Sequence, residues 1–281
     1  MKTVYILGRG PSLRALEKAN IPSDSDVILM NDHSNTLKNP QMAEKLNNTN
    51  NYVMCNSEQK GFNPTVFNKL EIKGCLTNRL KPNWDLWQVH KDKQRKHFEG
   101  GTPNNLGYLP YLSEDEPYLY FWRGPRDRNL EDMRTYDGRK IEHIPEEAEQ
   151  YLIQIYEDKL IGNCSYYATL YAILKLNADH IIYYGLDFYN NLGFKKPWYI
   201  NPPTYGTAEW WTERVAYEGE HMKVVYDDYL AKFFPDVTLE FFTLLDHSFK
   251  SPNITCNTIK IEDPEIANQT WYSGRVGEHL T

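Results

Sequence analysis

The sequence predicts an α/β fold, a mainly parallel twisted sheet flanked by helices, and three observations carry that expectation. The runs TVYIL (3–7) and DVILMN (26–31) are apolar and bounded by turn residues, as strands covered on both faces are. Strands then alternate with helical stretches, which favours parallel pairing through crossover connections. Finally, the first strand runs straight into a glycine turn and a helical segment, GRGPSLRALEKA, the unit that opens doubly wound sheets. Together these read as one Rossmann-like domain spanning residues 1–281.

Taken in order, residues 3–7 form the first strand, and Ser12 stands where a helix N-cap belongs, ahead of the helically spaced LRALEKA. Residues 26–31 and NYVMCN (51–56) read as the next two strands, and YLYFW (118–122) as another. The stretch 123–145 is charged and irregular and reads as a surface excursion. EEAEQYLIQIYEDKL (146–160) is an amphipathic helix; GNCSYYATLYAILKLNA (162–178) is a more apolar one opened by small polar residues. HIIYYGLDFY (180–189) is a strand running into a turn. EHMKVVYDDYLAKFF (220–234) is helical, and TLEFFTLL (238–245) is the last clear strand. Between the strand ending at Tyr189 and the helix opening at Glu220, about thirty residues (190–219) rich in proline, glycine and aromatics form a loop long enough to be a lid or binding insertion.

Composition narrows the function classes. A net charge of −7 and a pI near 5.7 argue against a nucleic-acid footprint. No stretch of about 18 apolar residues is present, so no membrane span is expected. The four cysteines are scattered without paired metal-ligand spacing, which suits reduced thiols in a cytoplasm, and no metal site is expected. The aromatic share is 14%, with 21 tyrosines; flat faces with a polar handle suit carbohydrate or base stacking, or else a ring-rich core.

The turn at Gly8 and Gly10 suits phosphate, because glycines allow close backbone approach and the following helix start offers N–H groups. A dinucleotide fingerprint would need glycine at position 13, where leucine stands; Asp32, at the end of the second strand, is the acid such a site would use. The Gly-Lys-Ser/Thr ending of a P-loop is missing. A purely structural strand–helix turn remains the alternative.

A second segment, GNCSYYATLYAILKLNADHIIYYGLDFYN (162–190), extends the pattern. With GRGPSL near the N-terminus and an asparagine ending the second strand, it resembles the bacterial sialyltransferases of glycosyltransferase family 42. The matching positions are Gly8, Gly10, Pro11, Ser12, Asn31, Ser165 and Gly185-Leu186-Asp187-Phe188-Tyr189, with a weaker match at YEGEH (217–221). The resemblance covers most of 1–60 and 160–248. It implies a variant GT-A fold and a CMP-activated nonulosonic acid as donor, most simply CMP-sialic acid. The partner would be a glycan acceptor, with no cofactor beyond the donor. Flagellin glycosyltransferases and a pterin pyrophosphokinase-like family share the GxGPSL turn, so a nucleotide-binding enzyme of another class, or a non-catalytic relative, stays open.

Carried over by position, Gly8, Gly10 and Ser12 would face the donor's phosphate and sugar, while Asn31, Asn56, Ser165, Asp187 and Phe188 would hold cytidine and phosphate. Arg9 departs from the family, which usually has asparagine there; arginine suits a charge-assisted phosphate contact or a different donor. Transfer needs a base for the acceptor hydroxyl, for which His221 is the candidate, and Tyr189 would donate to the departing phosphate. His33, beside Asn31 and Asp32, is the rival base, with a turn role as the plainer account; His180 opens a strand and reads as structural. The insertion at about 190–216 corresponds to the family's lid, where Trp198, Tyr199, Tyr205, Trp210 and Trp211 would stack on the acceptor sugar or pack the lid to the body. The expected setting is cytoplasmic, peripheral to a membrane only through the acceptor. A homo-oligomer is compatible with the sequence, which specifies no oligomeric state.

Overall fold

The structure, a computed structural model, describes residues 1–31, 33, 36–55, 66, 69–77, 118–120, 135–136, 139–143, 150–151, 154–155, 164–188 and 219–260. Among the described residues, ten strands form one sheet: β1 (Thr3–Leu7), β2 (Asp26–Met30), β3 (Asn50–Cys55), β4 (Ile72–Thr77), β5 (Tyr118–Tyr120), β6 (Thr135–Tyr136), β7 (Arg139–His143), β8 (His180–Tyr184), β9 (Thr238–Thr243) and β10 (Ile254–Thr258). Their order is β10-β9-β8-β1-β2-β3-β4-β5-β7-β6, and every pairing is parallel except the edge pair β6–β7. The Rossmann-like α/β expectation is met.

β1 and β2 lie at the centre and bury nearly every side chain, which is why their sequences show no polar alternation. Among the described residues, helices α1 (Pro40–Asn47) and α2 (Cys164–Leu174) flank the sheet. Asn39 caps α1 by accepting the amides of Gln41 (3.0 Å) and Met42 (3.4 Å), and Pro40 sits at its first position. α2 is the apolar helix expected there, with Ser165 to Ala172 all buried against the sheet. A third, α3, runs over 219–233, and its middle turn, Val225–Leu230, is π-helical. Much of the aromatic excess goes into the core: Tyr166, Tyr167, Tyr183, Tyr226 and Phe241 are among the largest fully buried side chains.

Five features differ from the sequence expectation, the first being α1 (Pro40–Asn47), where the sequence reading placed no helix. The segment after the glycine turn is a 3-10 helix, Pro11–Glu17, whose cap position is Gly10, so Ser12 lies inside it. The stretch 123–145 holds β6 and β7, whose charged residues give no apolar run; sheet-edge strands tolerate and even favour such charge. β4 (IKGCLT) carries a lysine and a glycine that mask its pattern. β10 (ITCNT) is half-exposed on the opposite edge and lacks a continuous apolar face.

Candidate functional site

The strand order reverses at β1: sequence order continues outward through β2 on one side, while β8 returns on the other. In open α/β sheets the crevice at the carboxyl ends of such strands is where ligands bind. Here that point is made by the turn Gly8–Ser12 after β1 and by Gly185–Phe188 after β8.

The two segments are knotted together. The Gly8 amide donates to the Tyr184 carbonyl and the Gly10 amide to the Gly185 carbonyl, each at 2.7 Å. The Ser12 hydroxyl accepts the Gly185 amide at 2.9 Å, and the Ser12 amide donates to Asp187 Oδ2 at 3.0 Å. A Cβ on Gly8 would collide with the Gly185 carbonyl, and one on Gly10 with the Asp187 carboxylate. The glycines are therefore needed for chain-on-chain contact. Their amides are spent inside the protein, which leaves any phosphate contact at this turn to other groups. Gly185 itself has φ +72°, a conformation open to glycine, and this stops β8 before the Asp187 position.

Asp187 is 5% exposed, and its second oxygen accepts the Leu244 amide at 3.1 Å, so one carboxylate ties together β1's turn, β8's end and the loop after β9. Burial pushes its carboxyl up to about 6, against the opposing pull of the Ser12 and Leu244 hydrogen bonds. Phe188 follows at φ +49°, a strained position for an aromatic residue. Its ring is buried among Tyr226, Phe241, His247 and Phe249, with centroids 5.0 to 6.1 Å away. That ring supports the loop from below rather than offering a free face for base stacking.

Asn31 ends β2 at φ +65°, which asparagine tolerates, and its amide continues the ladder to the Met54 carbonyl at 2.7 Å. Its side-chain oxygen receives the Cys164 thiol at 3.9 Å, so Asn31 touches the start of α2, next to Ser165. His33 is fully buried, its Nε2 lying 3.0 Å from the Leu7 carbonyl and 3.1 Å from the Met30 carbonyl, and its Nδ1 3.1 Å from the Thr36 hydroxyl. It fastens the carboxyl ends of β1 and β2, which answers the choice between base and turn residue in favour of structure. His180 pairs with Glu240 at 2.9 Å across β8 and β9, as a structural strand residue would.

His221 lies half-buried in the first turn of α3. Its neighbours Glu220 and Lys223 act electrostatically on His247, whose ring is 5.0 Å from Phe188, so this end of α3 adjoins the switch-point loops. His247 is a residue the sequence reading passed over. Burial, with Lys223 nearby, lowers its pKa despite Glu220 and Asp246. Asp227 was also passed over. Burial would raise its carboxyl, but hydrogen bonds from the Lys250 amide (2.9 and 3.0 Å) and the Ser251 amide (2.8 Å) outweigh this and hold it below the usual range. Asp227 and Asp187 thus pin opposite ends of the 244–251 loop. The only sequence hint was the pair Asp227-Asp228 inside an otherwise amphipathic helix.

Of the other expected residues, Arg9 is half-buried on the turn and Ser165 is fully buried in the first turn of α2. Asn56, Tyr189 and the lid residues Trp198, Tyr199, Tyr205, Trp210 and Trp211 lie outside the described residues. Among the described residues, no group of three or more His, Cys, Asp or Glu is arranged to hold a metal ion, and no helix is long and apolar enough to cross a membrane.

The site therefore defines a parallel α/β protein with a knotted switch point between β1 and β8. No protein-family model and no curated protein matches the sequence. Two solved structures of the sialyltransferase CstII from Campylobacter jejuni are similar to the chain, each in complex with a substrate analogue: cytidine-5'-monophosphate in one, CMP-3FNeuAc in the other. Both are 15% identical, cover 92% of this chain and 88% and 89% of their own, and give TM-scores of 0.41 and 0.37.

Proposed function

We propose that this chain is a nucleotide-sugar enzyme of glycosyltransferase type. It would hold a CMP-activated nonulosonic acid, most simply CMP-sialic acid, and transfer the sugar with inversion to a hydroxyl of an acceptor glycan. One observation carries the reading: GRGPS, Asn31, the start of α2 at Cys164-Ser165 and GLDF, far apart in sequence, converge around one switch point. These are the positions on which the family resemblance rests.

In this reading the acceptor oxygen attacks the anomeric carbon through an oxocarbenium-like state. His221 takes the acceptor proton, and the bond to the CMP oxygen breaks. CMP leaves as a competent anion, so hydroxyl donors suffice to stabilise it: Tyr189 donates to the departing phosphate, and Ser165 is among the residues that hold the cytidine and phosphate. Because Gly8, Gly10 and Ser12 are committed to the knot, their part is to hold Asp187 and Gly185 in shape. Arg9 is then the charged group of the turn that answers the phosphate. The aromatics of 190–216 close over the acceptor sugar.

A thermal-shift panel of CMP, CDP, CMP-sialic acid, ATP with magnesium, and NADH tests this reading. Stabilisation by the cytidine nucleotides without added metal is the expected result, by ordinary ligand linkage. Silence toward CMP with a clear response to ATP and magnesium would transfer the chain to the pyrophosphokinase-like alternative.

A further inference from the structure

The proposed chemistry leaves Asp227 unused, although this carboxylate is buried on α3, the helix that carries His221. It accepts the Lys250 amide at 2.9 and 3.0 Å and the Ser251 amide at 2.8 Å. The Ser251 hydroxyl returns the contact, donating to the Asp227 carbonyl at 2.7 Å. Side chain and main chain of one residue are thus clamped by two neighbouring residues of the segment after β9.

That segment, 244–253, runs as a strap from the switch-point turn to α3. At its start the Leu244 amide donates to Asp187, whose other oxygen takes the Ser12 amide. In its middle the His247 ring packs edge-on against Phe188, and Glu220 and Lys223 of the first turn of α3 act on it electrostatically. At its end the Asn253 side-chain amide donates to the Ala231, Phe234 and Val237 carbonyls at 3.0 to 3.1 Å, around the far end of α3.

The strap is therefore fastened to α3 at Asp227 and again at Asn253. Asp227 is the nearer to His221, six positions on, or about 9 Å along a helix. It lies in the π turn, Val225–Leu230. There Tyr226 meets Phe241 edge-on in the core, 5.0 Å between centroids, while its neighbour Asp227 reaches the strap. Single π turns inside helices are rare and concentrate at functional sites.

We propose that Asp227 is a positioning residue for sugar transfer: its clamp on Lys250 and Ser251 holds the first half of α3, and with it His221, in register with the turn that Asp187 ties to the same strap. The proposal rests on the transfer reading above, in which His221 takes the acceptor proton and CMP is held at the switch point. A displaced base costs rate, because the attacking oxygen must meet it in hydrogen-bond geometry. The donor turn, built on β1 and β8, keeps its own knot and hence its affinity.

Kinetics with CMP-sialic acid as donor and lactose as acceptor probe, beside calorimetric titration with CMP, tests it. Asp227→Ala is expected to lower kcat about tenfold, while KM for the donor and CMP affinity stay within about twofold. Asp227→Asn keeps an oxygen able to accept both amides, and is expected to restore kcat to within about threefold of wild type. Asn253→Ala loosens the far end of α3 and is the control. It is expected to lose thermal stability comparably, with kcat within about twofold of wild type. An unchanged kcat in Asp227→Ala, an equal fall in Asn253→Ala, or CMP affinity falling in step with kcat would overturn the proposal. Should Asp227→Ala fail to fold, Ser251→Ala deletes only the bond to the Asp227 carbonyl. A fall in kcat of about threefold there supports the proposal, and no fall overturns it. If wild type binds no CMP, or binds it yet releases none from CMP-sialic acid to lactose or to water, the transfer reading is wrong and the proposal falls with it. If wild type transfers and Asp227→Ala matches it, only the role of Asp227 falls.

Discussion

Replacing Asp187 with asparagine separates the two opposing demands on this buried carboxyl. Both its oxygens accept backbone amides, from Ser12 at 3.0 Å and Leu244 at 3.1 Å, while the group is 5% exposed. A carboxyl displaced from 3.8 to about 6 carries a cost of about 3 kcal/mol for its anion relative to the unfolded chain. The folded state binds the extra proton, so this stability is present at low pH and is lost as pH rises through about 6. Asparagine does not titrate, and it also leaves one of the two amides facing a donor, a loss of about 1–3 kcal/mol. The destabilisation caused by Asp187→Asn is therefore expected to be larger at about pH 4.5 than at about pH 7, by about 2 kcal/mol, because at the lower pH the folded carboxyl keeps its proton while the unfolded one is mostly ionised, and at pH 7 both are ionised. Urea unfolding of both proteins across that range, extrapolated to water, measures the difference. A difference that is flat with pH, or that grows toward neutrality, would refute the assignment of burial as the dominant effect.

Other substitutions probe the same architecture. Gly8→Ala drives a methyl into the Gly185 carbonyl, where backbone meets backbone, and is expected to cost about 3 kcal/mol in denaturant unfolding. Ser12→Ala strands the buried Gly185 amide and should cost about 1–3 kcal/mol by the same measurement, with Ser12→Thr as the partial rescue. Asp227→Ala removes a charged acceptor of the Lys250 and Ser251 amides, for about 2 kcal/mol at neutral pH. Because the Asp227 carboxyl is held low, that penalty shrinks as pH falls below about 4, the opposite sign to Asp187, in the same unfolding series. His221→Ala is expected to abolish sugar transfer in a product assay while CMP affinity stays within about twofold; surviving transfer would reassign the base.

The layered α/β fold was legible because central parallel strands must be apolar on both faces, and β1, β2, β8 and β9 declare themselves that way. The strands at and next to the two edges were not, because β10 is half-exposed and polar, and β7, beside the edge strand β6, carries charged residues that break the pattern. At the site, Gly8, Gly10, Ser12, Asn31, Gly185 and Asp187 could be picked out as a set because they are the positions that carry the family resemblance. Their tasks could not be. Glycine reads as an invitation to phosphate, and only the approach of Gly185 reveals that the space beside Gly8 is already filled. Phe188 stands by resemblance among the residues that would hold the cytidine and phosphate, yet its ring is enclosed by Phe241, Phe249 and His247.

From the chain alone, then, came β1, β2, β3, β5, β8 and β9 and the helices α2 and α3, because local apolar pattern is written residue by residue; the short list of residues at the strands' carboxyl ends came through the family resemblance. The pairing of β1 with β8, the knot through Ser12 and Asp187, the structural use of His33, and the meeting of the Tyr226 phenol with Thr169 belong to the tertiary structure. Each depends on residues between 26 and about 175 positions apart meeting in a dry interior, where every amide and hydroxyl must find a partner.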